Sequence, residues 1–178
     1  THWRRWQIEK NERLIKEEIR DLTTLEDLSA IQILVELLPG KIGSLLSINN
    51  LREDLEVAHK TLVNYLKVLE LFYFHFRIYP YAKKTVRSLK KMAKLYLWDW
   101  SVIDNEGVRF ENLIASHLLK YSHFLKNSQG YKTQLNYLRD REGREVDFLF
   151  TVDDKPWFAV EVKLEEEKSF LEYYQQRL

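Results

Sequence analysis

The chain has 178 residues, of which 45% are hydrophobic and 13% aromatic, and it contains no cysteine. This composition indicates one or two globular domains in a reducing compartment and excludes a disulfide framework. The formal net charge of +1 points by itself to no polyanionic partner. Because no stretch approaches about 18 uncharged apolar residues, neither a membrane span nor a secretory leader is expected. The sequence therefore predicts a cytoplasmic protein.

The charges are distributed unevenly along the chain. Residues 57–94 carry nine Lys or Arg against one acid, a balance of +8, whereas residues 140–178 carry six against eleven, a balance of −5. Such asymmetry is more informative than the total, and the basic block favours a nucleic-acid partner. Ordinary solvated faces are the alternative interpretation of this block.

The first segment, residues 1–22, shows a broken helical pattern with many charges and predicts a helix that packs on another part of the protein. The chain starts at Thr1, and Leu178 falls inside a helical pattern. We therefore expect a fragment of a longer polypeptide, with residues 1–22 linking to a missing N-terminal part.

Residues 23–92 show three helical patterns followed by a strand. A capping box of Thr23 and Glu26 opens the first helix, and Ser47 caps the second. The third runs through "AHKTLVNYLKVLEL", and the aromatic run at 72–81 changes to a strand pattern. This order predicts a winged helix-turn-helix, with a small helical bundle carrying a β appendage as the alternative.

The second half, residues 93–178, combines strands and helices. Strand patterns occur at 94–102, 131–140, 145–152 and 156–163, and helical patterns at 106–125 and 168–178. Gly143, between the second and third of these strands, suits a hairpin turn that needs a positive φ. The predicted fold class is therefore α+β to α/β, with a mixed sheet.

Charged residues interrupt two of these strands. Since side chains alternate across a strand, Glu161 and Lys163 share one face, and Asp147 lies opposite Val146 and Phe148 on the preceding strand. If these faces match, Asp147, Glu161 and Lys163 converge. Two adjacent carboxylates suit a hard cation such as Mg²⁺, which can hold a phosphate oxygen, and the lysine can polarise the phosphate. Similar acid-x-Lys triplets occur at 153–155 and 166–168, and an ion pair on a sheet edge is the structural alternative.

The three residues resemble the motif of the PD-(D/E)XK nuclease-like fold of restriction enzymes and archaeal Holliday junction resolvases. That resemblance implies a further catalytic acid from the first helix, a place that Glu111 matches. The run "KLYLWDWS…RFENLIASHLL…YLRDREGREVDFLF…WFAVEVK" is similar to the C-terminal region of predicted bacterial and archaeal AAA-type ATPases, where a winged helix precedes such a domain. A Lys-x-Tyr-x-x-Asp strand, here at 94–99, recurs in that family, and we give Asp99 no catalytic role.

The chain departs from the family pattern in three ways. Val146 stands where the motif has proline, the last strand of the fold is missing, and Lys41 of the pair Gly40-Lys41 is followed by Ile42 rather than Ser or Thr. No ATP site is therefore expected in this fragment. The resemblance implies Asp147 and Glu161 as ligands of Mg²⁺ or Mn²⁺, and a metal-dependent endodeoxyribonuclease as the activity to test.

The third helix of the first half is the predicted recognition helix. Docking of such a helix in DNA would use its outer side, and the basic segment after the strand would contact phosphates. The predicted DNA-binding residues are His59, Lys60, Thr61, Asn64, Lys67, Lys83, Lys84, Arg87, Lys90 and Lys91. Winged helices also serve as protein docking modules, which is the alternative.

Two further functional interpretations remain open. The nuclease-like domain can be a non-catalytic DNA- or protein-binding regulatory module of the ATPase, in which the acids form ion pairs. The aromatic strand at 72–81 can instead support oligomerisation. DNA and the missing ATPase domain are the expected partners.

Overall fold

The computed structural model describes residues 2–19, 28–82 and 92–165. The predicted capping box at 23–26, the predicted helix at 168–178 and the basic residues Lys83, Lys84, Arg87, Lys90 and Lys91 lie outside these ranges. Within the described ranges the protein contains five α-helices and one mixed five-stranded sheet. None of the helices there is long and apolar enough to cross a membrane.

The chain divides into two compact units, of which the first comprises residues 1–41 and 47–74. Its helices are α1 (His2–Arg13), α2 (Leu28–Leu37), α3 (Ile48–Asp54) and α4 (His59–Leu71). A π-helical turn, Leu14–Ile19, follows α1, and a 3₁₀ turn, Leu38–Lys41, ends α2.

Local sequence signals explain α3 and α4. The predicted cap of α3 is confirmed, since the Ser47 hydroxyl accepts a hydrogen bond of 3.3 Å from the Asn50 backbone N–H. Helix α4 buries a stripe of apolar side chains at helical spacing, which includes Leu62, Leu66 and Leu69. A four-residue turn, 55–58, joins the two helices.

The second unit comprises residues 42–46 and 75–178 and contains the sheet. Its strands are β1 (His75–Pro80), β2 (Lys94–Leu97), β3 (Thr133–Arg139), β4 (Glu145–Val152) and β5 (Lys155–Val160). The strand order is β2-β1-β3-β4-β5, with β1 and β3 parallel and the other neighbours antiparallel. The long helix α5 (Glu106–Gln129) packs against β2, β3 and β4.

The unit boundary differs from the predicted one. The sequence placed the aromatic strand in a winged helix that ended at residue 92, whereas the two units divide between residues 74 and 75. The physical reason is hydrogen bonding, because β1 pairs with β2 along four residues and with β3 at Tyr79 and Pro80. A strand with partners on both sides belongs to the sheet, whichever helices precede it.

Strands β2 and β5 end earlier than the sequence predicts, whereas the hairpin between β3 and β4 agrees with its prediction. Strand β2 stops at Leu97 because Asp99 accepts a hydrogen bond from the Ser101 N–H and starts a 3₁₀ turn at Trp100–Val102. Strand β5 stops at Val160 rather than residue 163. The positive φ predicted for Gly143 between β3 and β4 is confirmed at 83°.

Candidate functional site

Asp147 lies in the middle of β4 between two fully buried apolar side chains. Val146 and Phe148 are 0% exposed, and Phe148 pairs with Val160 at the end of β5. Strand β5 ends at Val160. Beyond it, the backbone N–H of Val162 donates a hydrogen bond of 2.8 Å to the side-chain atom Asp147 Oδ2 of β4. The carboxylate of Asp147 therefore takes the place of a strand partner for this N–H.

Glu161 and Lys163 follow directly after β5. The Glu161 side chain is only 5% exposed, and Lys163 Nζ lies 3.5 Å from its Oε1. Burial chiefly raises the pKa of Asp147, and the negative charges of Glu145 and Glu161 add to the rise, although the Val162 N–H and Lys94 oppose it. Asp147 and Glu161 are thus close enough to interact electrostatically, and Lys163 forms an ion pair with Glu161.

The structure also brings Glu111 of α5 to this site. Tyr96 of β2 donates a hydrogen bond of 2.6 Å to Glu111 Oε1. Burial raises the pKa of Glu111, and the charge of Asp147 adds to the rise, while Lys94 and the Tyr96 hydroxyl oppose it. Burial and the negative charge of Glu111 hold the pKa of Tyr96 well above its ordinary value, so this hydroxyl stays protonated and donates.

Lys94, at the start of β2, lies at the centre of these acids and was missed by sequence reasoning. Its side chain is 3% exposed. Its Nζ lies 3.5 Å from Glu111 Oε1 and 3.7 Å from Asp147 Oδ1, and it forms a salt bridge with Glu145 Oε1. We call Lys94, Tyr96, Glu111, Glu145 and Asp147 the Lys94 cluster.

The Lys94 cluster keeps its lysine charged. Burial alone would lower the pKa of Lys94, but the carboxylates of Glu111, Glu145 and Asp147 outweigh it, and the pKa lies above its ordinary value. Arg139 of β3 supplies a second cation, since its Nη1 lies 2.8 Å from Glu145 Oε2. Each of the carboxylates of Glu111, Glu145 and Asp147 therefore interacts with donor groups of the protein itself.

The sequence did contain a signal for this lysine. Lys94 opens the Lys-x-Tyr-x-x-Asp strand at 94–99, but the charge pattern alone assigns it only to the basic block at 57–94 and assigns Glu145 only to the acidic end at 140–178. A lysine that opens a short apolar strand is unusual, because a buried ammonium needs a carboxylate partner. Which carboxylates pair with Lys94 depends on how the fold places β2 relative to β4 and α5.

Two neighbouring residues, Asn112 and Gly43, determine the position of Glu111. The neighbouring Asn112 is fully buried, and its side chain accepts from the Leu97 N–H at 2.8 Å and donates to the Leu97 carbonyl at 2.7 Å. Gly43, with φ +72°, lies against the Glu111 carboxylate, so a Cβ there would meet Oε2 at 3.3 Å. Asn112 ties α5 to β2, and Gly43 leaves room for the carboxylate.

Of the two residues predicted to bind Mg²⁺, Asp147 has both carboxylate oxygens facing protein groups in this arrangement. Asp147 Oδ1 faces the Lys94 ammonium at 3.7 Å, and Oδ2 accepts the Val162 N–H. Among the described residues, no three His, Cys, Asp or Glu side chains are grouped so that they could hold a metal ion. The positive charge at the centre of the acids is the lysine's own.

The predicted DNA-binding residues divide into two sets. Five lie on α4, where Thr61 is partly buried and four side chains are exposed: His59, Lys60, Asn64 and Lys67. The other five, from Lys83 to Lys91, lie outside the described residues.

Comparisons with known proteins match this chain to two domain families of unknown function and to an uncharacterized relative. A family model described as a domain of unknown function, DUF4143, matches residues 106–176 and represents a domain found at the C-termini of AAA-ATPase-like proteins. An uncharacterized protein of Methanocaldococcus jannaschii, MJ1637, is 28% identical over 168 residues, which cover 89% of this chain and 35% of that protein. The chain thus spans about a third of this relative's length, and no solved structure matches it. A second family model matches residues 3–105, more than half of the chain, and the chain therefore belongs to the family described as domain of unknown function DUF8612.

Proposed function

We propose that this chain is a DNA-handling C-terminal region of an AAA-type ATPase, with the first unit as its DNA-binding part. The observation that carries the proposal is the exposed face of α4. The exposed side chains include the lysines Lys60 and Lys67 and the imidazole of His59, and Asn64 lies between them. The buried face of the same helix is apolar, so the polar residues are available to a partner.

The geometry around α4 suits insertion into a DNA groove. In a helix-turn-helix the second helix enters the major groove, and its N-terminal residues reach the base edges. Helix α4 follows α3 after a four-residue turn, and His59 and Lys60 occupy its first turn. Asn64 stands one turn further along, and an amide side chain can bind adenine in a bidentate manner. Lys67, two turns along, would contact a phosphate.

Under this proposal the second unit is a nuclease-like domain in which the buried acids stabilise the packing of the fold and do not catalyse a reaction. Glu111, Glu145 and Asp147 each have protein donors, and Lys94 neutralises them from within. Under this proposal the paired charges fix how β2, β4 and α5 pack, without a bound substrate. The unit would then position DNA or the ATPase part without cutting.

Fluorescence anisotropy with a labelled DNA duplex tests the DNA-binding proposal. Measured across a series of salt concentrations, log K should fall linearly with log salt, and each lost phosphate contact should reduce the slope by about 0.9. We expect Lys60→Ala/Lys67→Ala to weaken binding about tenfold or more at low salt and to reduce the slope by about 1 to 2.

A matched control removes the same charge from the other unit. Lys132 and Lys155 are exposed in the turn region of β3, β4 and β5, so Lys132→Ala/Lys155→Ala should leave the affinity and the slope unchanged. Equal losses in both double variants would mean that binding follows net charge alone, and the role proposed for α4 would be wrong. Absence of DNA binding, with retention of a protein partner by α4, would favour the docking alternative.

Metal-dependent hydrolysis of DNA phosphodiesters is a second candidate function. The specific observation that favours it is the group of motif residues at the end of β5: Glu161 is buried, interacts electrostatically with Asp147 and pairs with Lys163. Incubation with linear and branched DNA and Mg²⁺ or Mn²⁺ tests this activity. Glu161→Gln should abolish cleavage, the exposed Glu165→Gln should not, and cleavage that survives Lys163→Ala would contradict the role of that lysine.

A further inference from the structure

The Lys94 cluster brings an ammonium to the position that a shared metal ion would need. Lys94 Nζ faces Glu111 Oε1 at 3.5 Å and Asp147 Oδ1 at 3.7 Å and pairs with Glu145. These carboxylates come from α5 and β4, and in the strand order β2 is separated from β4 by β1 and β3. The side chain of Lys94 reaches from β2 to acids on both of these elements.

A divalent ion and this ammonium cannot both occupy the site. Mg²⁺ binds carboxylate oxygens at about 2.0–2.1 Å and Ca²⁺ at about 2.3–2.6 Å. Because Nζ lies 3.5 Å from Glu111 Oε1 and 3.7 Å from Asp147 Oδ1, an ion that bound both oxygens would stand within about 6 Å of the ammonium. The two cations would repel each other strongly in a site where Lys94 is 3% exposed and water screens little.

The remaining donors make an external cation unnecessary. Glu111 also accepts the Tyr96 hydroxyl at 2.6 Å, Glu145 also pairs with Arg139 at 2.8 Å, and Asp147 also accepts the Val162 N–H at 2.8 Å. Each carboxylate thus has Lys94 and one further donor of the protein.

We propose that Lys94 is the internal counter-ion of this cluster and keeps divalent cations out of it. The chain replaces the metal ion of a nuclease-like site with its own lysine, and the carboxylates become a site for Mg²⁺ or Mn²⁺ only when the ammonium is removed. This inference rests on unit two alone and is independent of DNA binding by α4. Hydrolysis at this site would require Lys94 to leave the carboxylates first.

Titration of the purified protein with Mn²⁺, followed by calorimetry and by electron paramagnetic resonance of the free ion, tests the proposal. We expect the wild-type protein to bind no Mn²⁺ at millimolar concentrations and Lys94→Gln to gain affinity by about tenfold or more. Lys94→Gln/Asp147→Asn should lose that gain. Lys132→Gln is the matched control, because it removes a lysine from an exposed ion pair with Asp154 and should gain nothing.

Two results would overturn the inference. Wild-type binding of Mn²⁺ that Asp147→Asn abolishes would show that the ion and the ammonium coexist. Failure of both the wild type and Lys94→Gln to bind would show that something other than Lys94 keeps the ion out. If Lys94→Gln does not fold, Lys94→Gln/Glu145→Gln removes one of the three carboxylates that lose Lys94 and leaves Glu111 and Asp147 for the ion. The same two criteria apply to this double variant.

Discussion

Replacing Asn112 should destabilise the protein more than replacing any exposed polar residue of the same helix. Asn112 is 0% exposed and makes two hydrogen bonds to the backbone of Leu97, at 2.8 and 2.7 Å. Strand β2 lies at one end of the sheet order, so its outer backbone groups need partners that are not strands. Gly43 donates its N–H to the Leu95 carbonyl, and Asn112 of α5 supplies the partners of the Leu97 N–H and carbonyl.

The magnitude follows from what Asn112→Ala leaves behind. The variant exposes neither Leu97 group to water, since Leu97 is 1% exposed, and a buried polar group without a partner costs about 1–3 kcal/mol. With two such groups we expect a loss of about 2–5 kcal/mol in the free energy of unfolding. Because natural domains have about 5–15 kcal/mol of stability, this is a large share.

Urea denaturation followed by far-UV circular dichroism measures this loss. Asn127, also on α5, is exposed, and Asn127→Ala should change the stability by no more than about 0.5 kcal/mol. A loss for Asn112→Ala no larger than that of Asn127→Ala would refute the argument that these two hydrogen bonds hold α5 to β2.

Two further predictions concern Glu111. Gly43→Ala combines a left-handed backbone (φ +72°) with a 3.3 Å contact to the Glu111 carboxylate, whereas Gly130→Ala has a similar φ of +75° and open space. We expect Gly130→Ala to lose about 1–2 kcal/mol and Gly43→Ala to lose more, as measured by urea denaturation, and equal losses would show that the carboxylate gives way freely. Burial raises the pKa of Glu111 in the folded state, so the folded protein binds the Glu111 proton more tightly than the unfolded chain does. The contribution of this proton to the free energy of unfolding therefore declines as pH rises from about 4.3 through the raised pKa. The stability of the wild type relative to Glu111→Gln, from denaturation at several pH values, should therefore increase as pH falls through this window, and a difference that is independent of pH would contradict it.

Local patterns predicted the elements well where the local signal was sufficient. The Ser47 cap, the apolar stripe of α4, the long helix α5 and the positive φ of Gly143 depend on neighbouring residues alone. The alternation of β4 also predicted that Val146 and Phe148 are buried opposite Asp147. The boundary between the two units depends on strand pairing, which a local pattern does not contain.

The candidate site was predicted in part. Sequence reasoning selected Asp147, Glu161 and Lys163 from their positions in apolar strands, and the resemblance added Glu111. It did not find Lys94 or Glu145, because what distinguishes these two residues is the salt bridge between them. Lys94 and Glu145 are 51 residues apart in the chain, and no spacing rule connects a lysine on one strand with acids on a distant strand and a helix.

The sequence by itself determined the approximate places of the helices and strands named above and that Asp147 sits inside an apolar strand, because those properties depend on periodicity and on nearest neighbours. Only the tertiary structure decided which cation balances those acids. The cost of a buried carboxylate is set by the charges within a few ångströms of it. Here those charges include Lys94 and Arg139, which folding brings to Glu145 from other strands.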